Sequence, residues 1–183
     1  MHDGGGEVLI GQDALRKRVG EMAADIAAVY EGVNDGITIV TVLAGSLIFL
    51  SDLIRQLPLR MRIGLATVSS YPDRTVESGG AKLGSTSFPD LHDREVLIVD
   101  DIIDTGGTLR VVRAEVLGRR PRSIRTAVLL RKKGKAPADV PVDFVGFDVD
   151  DEFVVGYGLD YDGLYRNLPY ISVLGPGYGG RQR

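Results

Sequence analysis

The sequence predicts an α/β fold, a mainly parallel, twisted sheet flanked by helices on both faces. Runs of branched apolar residues, of strand length and without in–out alternation, recur along the chain, as strands covered on both faces require. Helical stripes stand between most of them, the order that gives parallel rather than hairpin-linked strands. The chain has 183 residues with 44% apolar content, enough to bury one sizeable core.

Residues 1–6, Met-His-Asp-Gly-Gly-Gly, lack an apolar core and read as a flexible tail rather than a signal peptide. Glu7 to Ile10 is a short strand. Asp13 opens a helix in which Leu15, Val19, Met22, Ala23, Ile26, Val29 and Tyr30 share one stripe. Asn34-Asp35-Gly36 turns the chain into a buried strand, Ile37 to Leu43. This strand ends at Ala44-Gly45-Ser46, and a helix follows through Leu57 before Pro58. Small residues between strand and helix suit an anion, and equally an ordinary tight turn.

Met61 to Ser69 is a third strand. From Ser70 to Gly80 the periodicity disappears, and so long a polar segment in a compact domain is either functional or a plain connection. Ala81 to Phe88 reads as a returning strand. A strand from Glu95 and a helix reaching about Leu117 come next, the helix stopped by Gly118 and Pro121. Ser123 to Leu130 is a further strand. Arg131-Lys132-Lys133-Gly134-Lys135 then has the look of a solvated charge run. Asp143 to Asp148 and Tyr170 to Leu174 complete the strands, and 175–183, rich in glycine, reads as a second tail. One domain over 7–174 is expected. His2 and His92 take no role.

Several function classes are excluded. Without cysteine there are no disulfides, thiolate metal sites or cysteine nucleophiles. A net charge of −3 gives no reason to expect a nucleic acid or an anionic membrane as partner. No apolar run approaches membrane-spanning length, and the expected location is the cytoplasm.

The chemistry concentrates in Glu95-Val96-Leu97-Ile98-Val99-Asp100-Asp101-Ile102-Ile103-Asp104-Thr105-Gly106-Gly107-Thr108-Leu109. A buried strand is expected to end at Asp100 and Asp101, with Asp104 and a hydroxyl- and glycine-rich turn opening a helix. Unpaired N–H groups and the helix dipole favour an anion there, two glycines let it come close, and Thr105 and Thr108 add donors. Acids beside such a cradle suit sugar hydroxyls or a divalent ion, and Asp104 suits a general base. Together they suggest a sugar phosphate with magnesium. The plain alternative makes Asp104 a helix N-cap, but capping needs one acid rather than three.

The stretch Val96 to Leu109 resembles the phosphoribosyl-pyrophosphate signature of the type I phosphoribosyltransferases. A second stretch, Asp151-Glu152-Phe153-Val154-Val155-Gly156-Tyr157-Gly158-Leu159-Asp160-Tyr161, resembles the purine segment of the branch acting on hypoxanthine and guanine. The likeness runs from about Val8 to Leu174. It implies a small hood over the base, formed by the N-terminal strand and about 143–174. It also implies transfer of phosphoribosyl from phosphoribosyl pyrophosphate to a 6-oxopurine in purine salvage, with Mg2+ as cofactor and usually a homo-oligomer.

Residue by residue, the resemblance implies that Asp104 handles the purine N7 proton. Asp100 and Asp101 would hold the ribose hydroxyls, and Thr105, Gly106, Gly107 and Thr108 the 5′-phosphate. Ala44, Gly45 and Arg166 would meet pyrophosphate, the first two in a loop with a cis peptide. Lys132 would bond the purine 6-oxo group, while Phe153 stacks on the base and backbone near Val154 meets its edge. Ser70 and Tyr71 match a Ser-Tyr pair on a closing lid. Asp160 would reach the metal, with Asp100 and Asp101 as further metal candidates. The sequence departs from the pattern at three positions: Ala44 stands where relatives often carry Lys or Arg, Asp100 where they often carry Glu, and Asp150 where proline is common. A nucleotide-sensing regulator of the same fold, or an enzyme for another base such as xanthine, are the alternatives.

Overall fold

The computed structural model describes residues 6–70 and 81–175. A six-stranded sheet forms its centre, built from β2 (Ile37–Leu43), β3 (Met61–Ser70), β4 (Ala81–Ser87), β5 (Glu95–Ile103), β6 (Ser123–Lys132) and β7 (Phe144–Val149) in the order β4-β3-β2-β5-β6-β7. All neighbours are parallel except β4, which returns antiparallel along β3. Helices α1 (Gln12–Val29) and α2 (Leu47–Ile54) cover one face, and α3 (Gly107–Gly118) covers the other.

The strands lack alternation because both faces are packed. Ile37 and Ile39 of β2 and Leu97 and Val99 of β5 meet α1 and α2, whereas Val40, Val42, Val96 and Ile98 join the cluster under α3. In the α1 stripe, Leu15, Val19, Met22, Ala23, Ile26 and Tyr30 are buried as expected, but Val29 is exposed. The second helix stops at Ile54 rather than Leu57. Leu57 is nonetheless buried, so its apolar signal came from a packed loop residue.

A second, three-stranded antiparallel sheet combines β1 (Val8–Ile10), β9 (Ile171–Val173) and β8 (Val154–Val155) in the order β1-β9-β8. The hood expectation had begun at 143, and here the strand pairing differs. β7 belongs to the main sheet, in register with β6 from Ala127↔Phe144 to Lys132↔Val149. Gly146 permits the fit, since a Cβ there would lie 2.4 Å from the Leu129 carbonyl oxygen. Arg18 of α1 donates to the Val145 and Gly146 carbonyls at 2.8 and 2.9 Å, closing part of this edge strand.

Two strands run further than their apolar patterns. β5 continues through both acids to Ile103, because its ladder to β6 persists at Asp100↔Val128 and Ile102↔Leu130. β6 likewise carries Lys132 inside the strand rather than in a loop. α2 leads from β2 outward to β3, while α3 leads from β5 the other way to β6. The order therefore reverses between β2 and β5, where open α/β sheets leave a crevice at the strand C-termini. Among the described residues, no helix is long and apolar enough to cross a membrane.

Candidate active site

A cleft of about 250 Å³ opens at that crevice, lined by Ala44, Gly45, Asp100, Asp101, Thr108, Asp160 and Arg166 among others. It unites residues from the β2–α2 loop, the end of β5, the first turn of α3 and the second motif.

The β2–α2 loop has a cis peptide between Leu43 and Ala44. The Ser46 hydroxyl pins it by donating to the Val42 carbonyl and by sharing a hydrogen bond with Thr41 Oγ1 at 2.7 Å. Gly45 faces Asp101 so closely that a Cβ would stand 1.7 Å from Oδ2. The other oxygen of Asp101 accepts the Ile102 N–H at 2.8 Å, and the Asp101 N–H donates to Asp100 Oδ1 at 3.0 Å. Asp100 is only 3% exposed.

Burial pushes the Asp100 carboxyl well above the usual carboxylate range, and the adjoining Asp101 charge pushes it further. Burial also raises Asp101, against the pull of its hydrogen bonds. A carboxyl raised in this way opposes folding once ionised. Its contribution is favourable below the unfolded-state value, about 4, and is lost as pH climbs through the folded value. Asp100→Asn is therefore expected to stabilise the protein at about pH 8 and to raise its Tm there. Near pH 4 the gain should vanish. Thermal melts at both pH values check this, and an equal shift at each would point to packing instead.

Gly106, with φ 75°, precedes α3, and among the described residues no side chain hydrogen-bonds the first turn of that helix. Asp104 is thus not its N-cap, which removes the plain alternative for this residue. The turn is held instead from within, by Arg110 Nη1 donating to the Thr105 carbonyl at 3.0 Å. The first-turn N–H groups and the Thr108 hydroxyl stay available to an anion.

Asp104 points the other way, toward the end of β6. Its Oδ2 lies 3.2 Å from Lys132 Nζ. Its Oδ1 is buried and accepts no hydrogen bond from any described residue. Lys132, 12% exposed along its side chain, also donates to Asp151 Oδ1 at 3.1 Å. Beyond Asp151 stands Phe153, 53% exposed, with Tyr161 edge-on at 5.6 Å. Val154 is buried in β8.

Asp160 and Arg166 pair at 2.6 Å, and Arg166 Nη1 donates to the Gly158 carbonyl at 2.6 Å. Gly158, with φ 104°, packs on the β2–α2 loop, where a Cβ would come 2.1 Å from the Gly45 carbonyl oxygen. Tyr157 adds a second tie by donating its hydroxyl to Asp52 of α2 at 2.6 Å.

A family model for the phosphoribosyl transferase domain matches residues 10–162. The hypoxanthine-guanine phosphoribosyltransferase of Bacillus subtilis is 41% identical over 170 residues, 93% of this chain and 93% of that one. Its counterpart in Mycobacterium tuberculosis is 38% identical over 173 residues, 92% of this chain and 86% of that one. The chain belongs to the phosphoribosyltransferase family. A solved hypoxanthine phosphoribosyltransferase of Trypanosoma cruzi, in a ternary substrates complex, shares its fold at a TM-score of 0.86 and 35% identity, covering 94% of this chain and 97% of that one.

In this phosphoribosyltransferase, the expected positions fall into two neighbouring groups. Asp100, Asp101, Thr108, Ala44, Gly45, Asp160 and Arg166 share the cleft, whereas Asp104, Lys132 and Phe153 flank it on the hood side. Of the lid pair, Ser70 is the last residue of β3, and Tyr71 with the rest of the segment to Gly80 lies outside the described residues. So do most of the two expected tails. Sequence reasoning left Lys135 in solvent, yet it lies 2.7 Å from Asp151 Oδ2 and 3.9 Å from Asp104 Oδ1. Its spacing from Lys132 carried no signal for this, because the contact depends on how the ends of β6 and β7 meet.

Among the described residues, no group of three or more His, Cys, Asp or Glu side chains forms a metal cage. Magnesium bound by one or two carboxylates plus substrate phosphate oxygens and water needs none. A polar cleft with Asp101 and Asp160 on its wall fits that donor set.

Proposed function

We propose that this phosphoribosyltransferase moves the 5-phosphoribosyl group from phosphoribosyl pyrophosphate to N9 of hypoxanthine or guanine. The C1′–oxygen bond to pyrophosphate breaks and its electron pair leaves with that group. The N9–C1′ bond forms, giving the nucleoside monophosphate. The observation that carries the reading is the double character of the crevice: an uncapped, glycine-opened helix beside two acids, joined through Asp104 to a lysine and an exposed aromatic ring.

Thr105, Gly106, Gly107 and Thr108 hold the 5′-phosphate, with Asp101 and the more deeply buried Asp100 on the ribose hydroxyls. With Ala44 in place, that loop meets pyrophosphate through backbone groups at Ala44 and Gly45, and Arg166 supplies the side-chain cation. On the base side, Phe153 stacks, Lys132 donates to the 6-oxo oxygen and backbone at Val154 meets the purine edge. Oδ1 of Asp104, which accepts no hydrogen bond from any described residue, takes the N7 proton, while Lys132 keeps Oδ2 fixed. Ser70 and Tyr71 belong to a lid that excludes water from the reactive sugar. Asp160, with Asp101 and Asp100 nearby, would hold Mg2+. When bound, that ion neutralises charge on the leaving group.

Lys132 favours a 6-oxopurine over other bases, and the acidic net charge speaks against a nucleic-acid-binding regulator. The test is a product assay with phosphoribosyl pyrophosphate, magnesium and a panel of hypoxanthine, guanine, xanthine, adenine and orotate. Inosine or guanosine monophosphate is expected, with loss of product in excess chelator and recovery on adding magnesium. Full turnover in chelator, or product from another base alone, overturns the reading.

We also infer a homo-oligomer in the cytoplasm. Leu47 and Ile48 on α2 and Ile63 and Leu65 on the adjoining strand β3 are exposed, more apolar side chain than a lone surface needs. Light scattering should give the mass of two or more chains, and a strict monomer would refute it.

A further inference from the structure

Four charged side chains close a ring at the ends of β6 and β7. Lys132 stands between Asp104 Oδ2 at 3.2 Å and Asp151 Oδ1 at 3.1 Å, and Lys135 stands between Asp151 Oδ2 at 2.7 Å and Asp104 Oδ1 at 3.9 Å. Charges alternate around the ring. Both oxygens of Asp151 are engaged, one by each lysine. The Lys135 ammonium, and after it that of Lys132, hold the Asp151 carboxyl below the usual carboxylate range, so it stays ionised.

A lysine head is a flexible point charge with three donors, and nothing in its own stem selects a direction. Here the stem of Lys132 is fixed by the last β6 rung to Val149 and by burial, and its head is held by two carboxylates on different segments. The hydrogen bond to Asp151 and the ion pair with Asp104 together narrow the directions left to its other N–H groups. Lys135 meanwhile shares the charge of Asp151, which leaves Lys132 less neutralised than two unshared acids would.

We propose that Asp151, anchored by Lys135, is a positioning residue that aims an N–H of Lys132 at the 6-oxo oxygen of the base. The inference rests on the 6-oxopurine reading above. It makes recognition of the base depend on a residue outside its contact surface. Asp104 alone would leave the lysine head free to swing about a single contact, and the ordering would then be imposed on each arriving base.

Steady-state kinetics on the full chain test this. Asp151→Ala should raise KM for hypoxanthine about tenfold while leaving KM for phosphoribosyl pyrophosphate within about twofold. Lys135→Met should raise the hypoxanthine KM by roughly threefold, and Lys135→Arg should restore it. In a Lys132→Met background, Asp151→Ala should add less than about twofold, because its route of action is gone. Melting should barely move, since Asp151 and Lys135 are half exposed. Equal losses in both backgrounds, parallel changes in both KM values, or no change in either would overturn the inference. If the wild type forms no product from any 6-oxopurine, the reading beneath it fails instead, an outcome distinct from active wild type with indifferent variants.

Discussion

Asp104→Asn is expected to lower turnover by about 10²–10⁴-fold, equivalent to roughly 2.7–5.4 kcal/mol of transition-state stabilisation. The amide keeps the shape and can still present an oxygen to Lys132, but it cannot take a proton. The geometry sharpens this expectation in two ways. Among the described residues Oδ1 is buried without a hydrogen-bond partner, which suits an oxygen that accepts from an incoming donor. The residue also does not cap α3, so its loss should shift Tm by no more than about 2 °C. Binding of phosphoribosyl pyrophosphate should change little. Single-turnover rates, inhibitor-free KM values and a melting curve on the same preparation decide it. Retained turnover with an early melt would return Asp104 to a structural role.

The second large effect concerns Lys132 and the identity of the base. An ammonium only donates, and the 6-oxo group of hypoxanthine or guanine accepts. Adenine offers an amino group there, placing donor against donor at a lysine that is 12% exposed and leaving the N–H meant for the base without an acceptor. Such a mismatch supports discrimination of about 10⁴ in kcat/KM. Lys132→Met should lower kcat/KM for the 6-oxopurines by roughly 10²–10³ and narrow the gap to adenine mainly by losing the good substrate. Part of the loss should fall on kcat, because Asp104 loses the group that fixes Oδ2. Lys133→Met provides the contrast. That side chain is 58% exposed and, among the described residues, pairs with surface Asp150 alone at 3.1 Å, so it should change kcat/KM by less than about twofold. Three bases on three proteins suffice. Damage from Lys133→Met with none from Lys132→Met would show that the wrong lysine had been assigned.

How far the site could be read from sequence depended on whether its parts were local. The strand-to-helix turn from Asp100 to Thr108 is contiguous, and its acids, glycines and threonines announce themselves together. The crevice followed from the alternation of strand and helix, since parallel order fixes where strand C-termini lie. What could not be read was set by pairing between distant segments. The apolar run of β5 stops at Val99, yet hydrogen bonds to β6 carry the strand onward through Asp100 and Asp101. β7 looked like part of the hood until its register with β6 placed it in the main sheet. That same pairing, extended by the Lys133 N–H donating to the Val149 carbonyl at 2.9 Å, draws the 132–135 and 149–151 segments together and makes Lys135 a partner of Asp151. A charge run has no pattern that distinguishes this from a solvated loop.

The stacking of Gly158 on Gly45 and of Gly45 on Asp101 bears on how such a protein can diversify. At both glycines a single methyl group would collide, with a carbonyl oxygen in one case and with the acid in the other. Around these two glycines the cleft is packed so closely, on backbone at Gly158 and on a carboxylate at Gly45, that a side chain added at either position would collide. On the reading proposed above, recognition of the base falls instead to the side chains of Lys132, Asp151 and Phe153, which point substitutions can change one at a time. A lineage could thus retune which base it accepts by ordinary point substitutions while the machinery for the common donor stays untouched. New specificities in this scaffold should arise from one wall of the site only.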